Sequence, residues 1–176
     1  MRSSKTQIIV RTSLFIAMIF LATFFIKFPV LTGYLNVGDS LILVSTMFLP
    51  PVASFIAGGI GSAIADISSG AYAIFAPFTF IIKGIEALIF ILIFSKLRKV
   101  LAKKPCVAYF ISAFVALAWM VIGYFFAYYF ITFDWGYALA SSLYDLIQFG
   151  GSLIISTILF ASITKIKAFD EMKTTK

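Results

Sequence analysis

The chain has 176 residues, of which 62% are hydrophobic and 12% charged, and it carries a net charge of +7. Soluble domains are about 45–50% apolar and about 25% charged, so this composition excludes a soluble globular protein and indicates a membrane protein. A spanning helix needs roughly 20 apolar residues, which leaves length for about six spans and no separate soluble domain. The single Cys106 excludes a disulfide within the chain, and the absence of His removes a common metal ligand. We therefore expect no cofactor bound by this chain.

The first apolar run predicts a helix over about 7–27. This run is too long for the apolar region of a signal peptide, and no small-x-small cleavage site follows it, so we expect a retained helix. The segment 39–70 predicts either one long helix or two helices joined at Pro50-Pro51. A proline inside a helix removes a backbone donor and clashes with the preceding turn, which favours two helices.

Basic residues decide how this segment is divided. Three later apolar runs predict helices over about 75–95, 105–131 and 136–165. Twelve of the 14 basic residues fall in three clusters, which open the first helix, separate the fourth from the fifth, and follow the last: Arg2, Lys5 and Arg11; Lys96, Arg98, Lys99, Lys103 and Lys104; Lys165, Lys167, Lys173 and Lys176. The positive-inside rule makes all three clusters cytoplasmic, which requires an even number of spans between the first two. The sequence thus predicts helices over 39–49 and 51–69, and an all-α membrane protein with six transmembrane helices and both termini cytoplasmic.

Polar residues within the apolar segments predict a binding cavity. At about 1.5 Å per residue, Lys83 and Glu86 lie roughly 12 and 16 Å below the outer surface, and Asp145 and Gln148 roughly 13 and 18 Å. Asp66 closes the third helix at that surface. A charge at the bilayer centre costs about 2.5–3.5 kcal/mol, so such groups face the bundle interior and normally mark a site.

Two tyrosines on the fifth helix extend this set, because Tyr124 and Tyr128 lie one turn apart. They predict ring stacking, with the interfacial aromatic belt as the alternative. We predict that seven residues line an outward-opening cavity: Asp66, Lys83, Glu86, Tyr124, Tyr128, Asp145 and Gln148. Because carboxylates outnumber Lys83 and aromatic rings are near, a small neutral or cationic heteroaromatic ligand is favoured over an anionic one.

A structural interpretation competes with the cavity. Lys83 could pair with Glu86 or Asp145 and serve only to hold two helices together. Asp39 and Asp134 are predicted to be helix-start or loop residues, where an Asp caps free N–H groups. Small residues four apart in the third helix, such as Gly61 and Ala65, predict close helix packing.

No motif for ATP binding or for a known hydrolytic centre is present. The chain has no GxxxxGK[ST], GxSxG or HExxH pattern. We therefore expect no enzyme activity in this chain.

Two blocks of sequence resemble a known family. GYLNVGDS (33–40) and GIGSAIADISSGAYAIFAPFTFIIKGIEAL (59–88) resemble the S components of energy-coupling factor (ECF) transporters. Within that family the resemblance is to the group assigned to hydroxymethylpyrimidine or pyridoxine-type vitamins. It implies an S-component-like bundle that binds a vitamin or its precursor from outside.

The resemblance also implies partners and further site residues. S components dock onto a transmembrane T subunit and two cytoplasmic ATPase subunits, which use the ATP. The family's AxxxA docking motif on helix 1 matches Ser13 and Ala17, with Ser in place of the first Ala. The loop that gates the pocket corresponds to about 28–38 and includes Asn36. Lys83 matches the Lys of the TFxxKG element, whereas Glu86 matches no motif position.

Three other functions remain alternatives. The first is a stand-alone carrier of the same vitamin. The second is a structural or assembly membrane protein without a ligand. The third is an intramembrane enzyme of a type without a recognisable motif.

Overall fold

The computed structural model describes residues 4–30 and 33–165. These residues form six α-helices and one β-hairpin: α1 (Lys5–Phe25), β1 (Lys27–Val30), β2 (Gly33–Asn36), α2 (Gly38–Ser45), α3 (Pro51–Ser68), α4 (Ala76–Val100), α5 (Pro105–Thr132) and α6 (Trp135–Lys165). Four basic residues used to predict the topology lie outside the described residues: Arg2, Lys167, Lys173 and Lys176.

Helix starts follow local sequence signals. Ser4 caps α1 through a capping box, in which its Oγ accepts from Gln7 N–H at 3.2 Å and Gln7 Oε1 accepts from Ser4 N–H at 3.0 Å. Helices α3, α4 and α5 each have a proline within their first two positions, where the missing N–H has no helical partner to lose.

Five segments of the described chain are long and apolar enough to cross a membrane: Lys5–Phe25, Pro51–Ser68, Ala73–Val100, Pro105–Thr132 and Trp135–Lys165. The protein is therefore a multi-pass membrane protein built from helices. The described residues contain the six predicted helices, but six transmembrane spans are not confirmed, because α2 has 8 residues and a rise of only about 12 Å. A bilayer core is about 30 Å thick.

Helix α2 is shorter than the predicted 39–49 because side chains at its end compete for its carbonyls. The hydroxyls of Ser45 and Thr46 donate to the carbonyls of Ile42 and Leu43, both at 2.6 Å, and a turn then leads to the Pro50-Pro51 break. Seven of the eight residues of α2 are buried. The other helices, rather than lipid, thus surround this short element.

The segment predicted as a loop over 28–38 contains the β-hairpin, which the all-α prediction missed. Strand β1 pairs antiparallel with β2 from Lys27 opposite Asn36 to Val30 opposite Gly33. The first helix ends at Phe25 instead of 27, and the Nζ of Lys27 donates to Ser69 Oγ at 3.0 Å. This contact places the hairpin at the end of the bundle where α3 meets α4.

The opposite end carries the described basic cluster. Helix α4 extends to Val100, five residues beyond its predicted end, so Lys96, Arg98 and Lys99 lie in its last two turns and not in a loop. Cations there are favoured by the carbonyl groups that end a helix. Lys165 ends α6, on the same side as the turn between α4 and α5.

Small residues bring α3 close to its neighbours. A Cβ on Gly61 would lie 2.9 Å from the carbonyl oxygen of Ile16 in α1, and one on Gly58 would lie 3.0 Å from that of Lys83 in α4. Both neighbours are backbone atoms, which move aside only if a helix shifts. Close packing in this part of the bundle therefore depends on the absence of these side chains.

We predict that Gly61→Ala lowers the free energy of unfolding by about 1–3 kcal/mol, because α1 must move away from α3. Gly151→Ala is the matched control, since a Cβ there meets no atom within 4 Å. Unfolding of the purified variants in detergent measures the difference. Equal unfolding midpoints for the two variants would contradict the packing role of Gly61.

Candidate ligand-binding site

A polar cavity lies beneath the hairpin, between the helices. Its volume is about 50 Å³, so it is narrow. Side chains from α1, β2, α3, the α3–α4 connection, α4, α5 and α6 line it: Thr23, Asn36, Ser62, Asp66, Tyr72, Phe75, Thr79, Lys83, Tyr124, Tyr128, Asp145 and Gln148.

Lys83 is the basic side chain of this cavity. It is 2% exposed, and its Nζ contacts Asp39 Oδ1 in a short ion pair and lies 3.4 Å from Glu86 Oε2. The same Nζ lies 5.3 Å from the centre of the Tyr124 ring, a cation–π distance. A buried ammonium is tolerated only with such partners, so α4 and α2 are held together by charge.

Asp39 is a site residue that the sequence reading assigned to a different role. It lies in the first turn of α2, but the structure records no side-chain cap for that helix. Instead Asp39 is fully buried, with Oδ1 on Lys83 and Oδ2 accepting from Gln148 Nε2 at 2.7 Å. The side chain of Asp39 in α2 therefore contacts both α4 and α6.

Gln148 connects this charged group to the hairpin. Its Oε1 accepts from the backbone N–H of Asn36 at 3.0 Å and from Asn36 Nδ2 at 3.2 Å. Asn36 in turn accepts from the N–H of Gly38 at 2.9 Å. A continuous chain of hydrogen bonds therefore runs from the strand above the cavity to Asp39 and Lys83 at its base.

Glu86 does not line the cavity, contrary to its prediction. It is fully buried below Lys83, and neither of its carboxylate oxygens has a hydrogen-bond partner among the described residues. The prediction rested on residues three apart sharing a helix face. That relation places Glu86 one turn further from the mouth, where its carboxylate faces Lys83 Nζ and not the cavity.

Aromatic and carboxylate groups form another wall. Tyr128 O–H donates to Asp145 Oδ1 at 3.3 Å, and the Tyr128 ring packs edge-on against Phe75 with centroids 5.4 Å apart. Tyr124 O–H and Thr79 Oγ1 form a hydrogen bond of 2.9 Å. The wall offers ring faces beside hydrogen-bonding groups, which suits a small polar aromatic molecule.

Comparisons with known proteins identify the family of this chain. The profile of the family described as "ECF-type riboflavin transporter, S component" matches residues 3–165. The chain belongs to this S-component family. Its members are transporter subunits rather than enzymes, and the resemblance noted in the sequence is confirmed at this level. The hydroxymethylpyrimidine or pyridoxine group stays a prediction.

Two further similarities accompany the family match. The solved structure described as "Structure and mechanism of the S component of a bacterial ECF transporter" superimposes with a TM-score of 0.71 at 17% identity, covering 92% of this chain and 98% of that one. This likeness confirms the S-component fold. An uncharacterized protein of Pyrococcus woesei is 42% identical over 64 residues, which span 36% of this chain and 42% of that protein.

In this S component, the structure brings together seven of the eight residues predicted to bind substrate: Asn36, Asp66, Lys83, Tyr124, Tyr128, Asp145 and Gln148. Ser13 and Ala17 lie apart from the cavity, exposed on α1. Asp134 lies at the start of α6 as expected, where Oδ1 accepts from the N–H groups of Gly136 and Tyr137 at 2.7 and 3.1 Å.

Five lining residues were missed by the sequence reading: Thr23, Ser62, Tyr72, Phe75 and Thr79. Thr79 carries a signal that could have been used, because it lies four residues before Lys83 on the same face of α4. Thr23 and Ser62 carry no such sequence signal, because small hydroxyl residues are common in membrane helices. Within residues 4–30 and 33–165, no three His, Cys, Asp or Glu side chains group as metal ligands.

We predict that Lys83→Met destabilises the protein by about 3–5 kcal/mol, because Asp39 and Glu86 lose their cation while remaining buried. Lys99→Met in the same helix is the control, since Lys99 is exposed. Denaturant unfolding in detergent micelles compares the two variants with the unmodified protein. If Lys83→Met unfolds at the same midpoint as Lys99→Met, the ion pair contributes nothing to stability.

Proposed function

We propose that this chain is the substrate-binding membrane subunit of an ATP-driven ECF importer, and that its substrate is a small heteroaromatic vitamin or precursor, either pyridoxine or hydroxymethylpyrimidine. The observation that carries the proposal is the narrow polar cavity below the hairpin, in a chain that belongs to the S-component family. Seven of its lining residues are those that the sequence predicts for substrate binding.

The chemistry of the cavity supports a small aromatic substrate. Tyr128, Tyr124 and Phe75 supply ring surfaces, while Asp66 and Asp145 supply acceptors beside them. The cavity volume is about 50 Å³, and a single ring fits a narrow cleft with less rearrangement than a fused three-ring system does.

Riboflavin is a second candidate, favoured by the family description. Its three-ring system needs the hairpin and the side chains of the α3–α4 connection, such as Tyr72 and Phe75, to move outward. Binding titrations with pyridoxine, hydroxymethylpyrimidine and riboflavin separate these candidates directly.

The partners follow from the same family membership. We propose a transmembrane T subunit and two cytoplasmic ATPase subunits, which hydrolyse the ATP that this chain has no motif to bind. Ser13 and Ala17 are one turn apart and exposed on α1, so their face is open for the T subunit. With the basic end of the bundle cytoplasmic, both termini lie inside and the cavity opens outward.

The three alternative functions predict different experimental results. A stand-alone carrier would transport the vitamin in cells that lack the T subunit and the ATPases. A ligand-free structural protein, or an intramembrane enzyme, would show no saturable binding of an unaltered vitamin. Mass spectrometry of small molecules retained by the purified protein adds an unbiased test.

We predict that Ser62→Leu weakens binding of the vitamin at least tenfold, because the larger side chain fills the cavity. Ser68→Leu in the same helix is the control, since Ser68 is exposed at the end of α3. Isothermal titration calorimetry on both detergent-purified variants measures the dissociation constants. The proposal fails if no vitamin binds the unmodified protein or if Ser62→Leu binds as tightly as Ser68→Leu.

We predict that Ala17→Trp abolishes co-purification with the T subunit and the ATPases while leaving vitamin affinity unchanged, because the bulky ring blocks close approach on α1. Ile122→Trp is the control, since Ile122 is 53% exposed on α5. Affinity pull-down of the complex from membranes is the measurement. Equal recovery of partners with both variants would exclude this face of α1 as the docking surface.

A further inference from the structure

We infer that the substrate is recognised through an amino group attached outside its ring, and that Asp145 is the residue that binds this group. The inference rests on the proposed function and narrows it to one chemical class. Aminated hydroxymethyl heterocycles, such as 4-amino-5-hydroxymethyl-2-methylpyrimidine and pyridoxamine, belong to that class. Pyridoxine and riboflavin carry no such amino group.

The first observation is the state of the Asp145 carboxylate. Asp145 is 8% exposed and lines the cavity. Its Oδ1 accepts from Tyr128 O–H, whereas its Oδ2 is buried and has no hydrogen-bond partner among the described residues. A buried carboxylate oxygen without a donor costs free energy, and a donor on the substrate removes that cost.

The second observation is the charge balance of the site. The cavity and the ion pair at Lys83 contain four buried carboxyl groups, those of Asp39, Asp66, Glu86 and Asp145, and one ammonium group, that of Lys83. Lys83 is already engaged by Asp39 and Glu86. Among the described residues that line the cavity, no other basic side chain is present to meet Asp145. An N–H donor from the substrate complements this excess of acceptor oxygens, whereas a phosphate ester would add further acceptors.

The third observation is a second polar group without a partner. Thr23 on α1 lines the cavity, is buried, and its Oγ1 makes no hydrogen bond within the described chain. A hydroxyl can both donate and accept, so Thr23 suits a hydroxymethyl substituent of the substrate. An acceptor on α6 and a hydroxyl on α1 therefore line the same cavity, and a ring that carries one amino and one hydroxymethyl group offers a partner to each.

The test uses two pairs of molecules that differ in the amino group. The first pair is 4-amino-5-hydroxymethyl-2-methylpyrimidine and the same pyrimidine without its amino group; the second is pyridoxamine and pyridoxine. Calorimetric titration of the full-length protein in detergent gives the affinity ratio within each pair. We expect the aminated member of at least one pair to bind about tenfold to a hundredfold more tightly, as a charge-assisted hydrogen bond provides.

Variants assign this preference to one residue. Asp145→Asn keeps the shape of the side chain and an oxygen for Tyr128, but replaces the remaining acceptor, so the affinity ratio should fall to about one. Asp134→Asn is the matched control, because Asp134 is exposed and outside the cavity. It should keep the full ratio.

The outcomes separate the inference from the proposed function. Equal binding within both pairs, tight binding of riboflavin alone, or a preference that survives Asp145→Asn overturns the inference and leaves a vitamin-binding S component. No binding of any of these molecules overturns both. The ratio in the unmodified protein is decisive by itself if Asp145→Asn fails to fold.

Discussion

The pairing of Lys83 with Asp39 and Glu86 is the interaction on which the rest of the molecule depends. A charged group inside a membrane bundle is tolerated only when partners replace the water it has lost. Asp39 supplies such a partner from α2, an element too short to span a bilayer and almost wholly buried. The charge on α4 therefore explains why α2 lies in the centre of the bundle, and Asp39 of α2 in turn holds two residues that line the cavity, Lys83 and Gln148.

Polar contacts extend from the ion pair of Lys83 and Asp39 to the hairpin. Gln148 is bonded to Asp39 on one side and to Asn36 on the other, so the position of β2 is fixed relative to the buried charges. A substrate that displaced Gln148 or repelled Asp39 would disturb both the strand and the ion pair. The hairpin and the lining of the cavity thus share the same few side chains.

The sequence predicted the parts of this structure that follow from hydrophobicity and charge. Long apolar runs predicted the helices, and polar or ionisable residues within them predicted most of the cavity lining. Such residues avoid contact with lipid and therefore face the interior of the bundle. It did not predict Asp39 in the site, since an Asp at a helix start has two roles and only the proximity of Lys83 decides between them. Glu86 was placed in the cavity because residues three apart share a helix face, although it lies one turn below Lys83. The hairpin was missed because its strands have only four residues each and are held by contacts distant in sequence.

The hairpin has a kinetic consequence. Two strands alone are marginally stable, and hydrogen bonds of Lys27 with Ser69 and of Asn36 with Gln148 help to tether this pair at its ends. Opening of the hairpin would break these tethers, so they would contribute to the residence time of a captured molecule. Strengthening either tether would slow entry and escape together and leave equilibrium occupancy nearly unaltered.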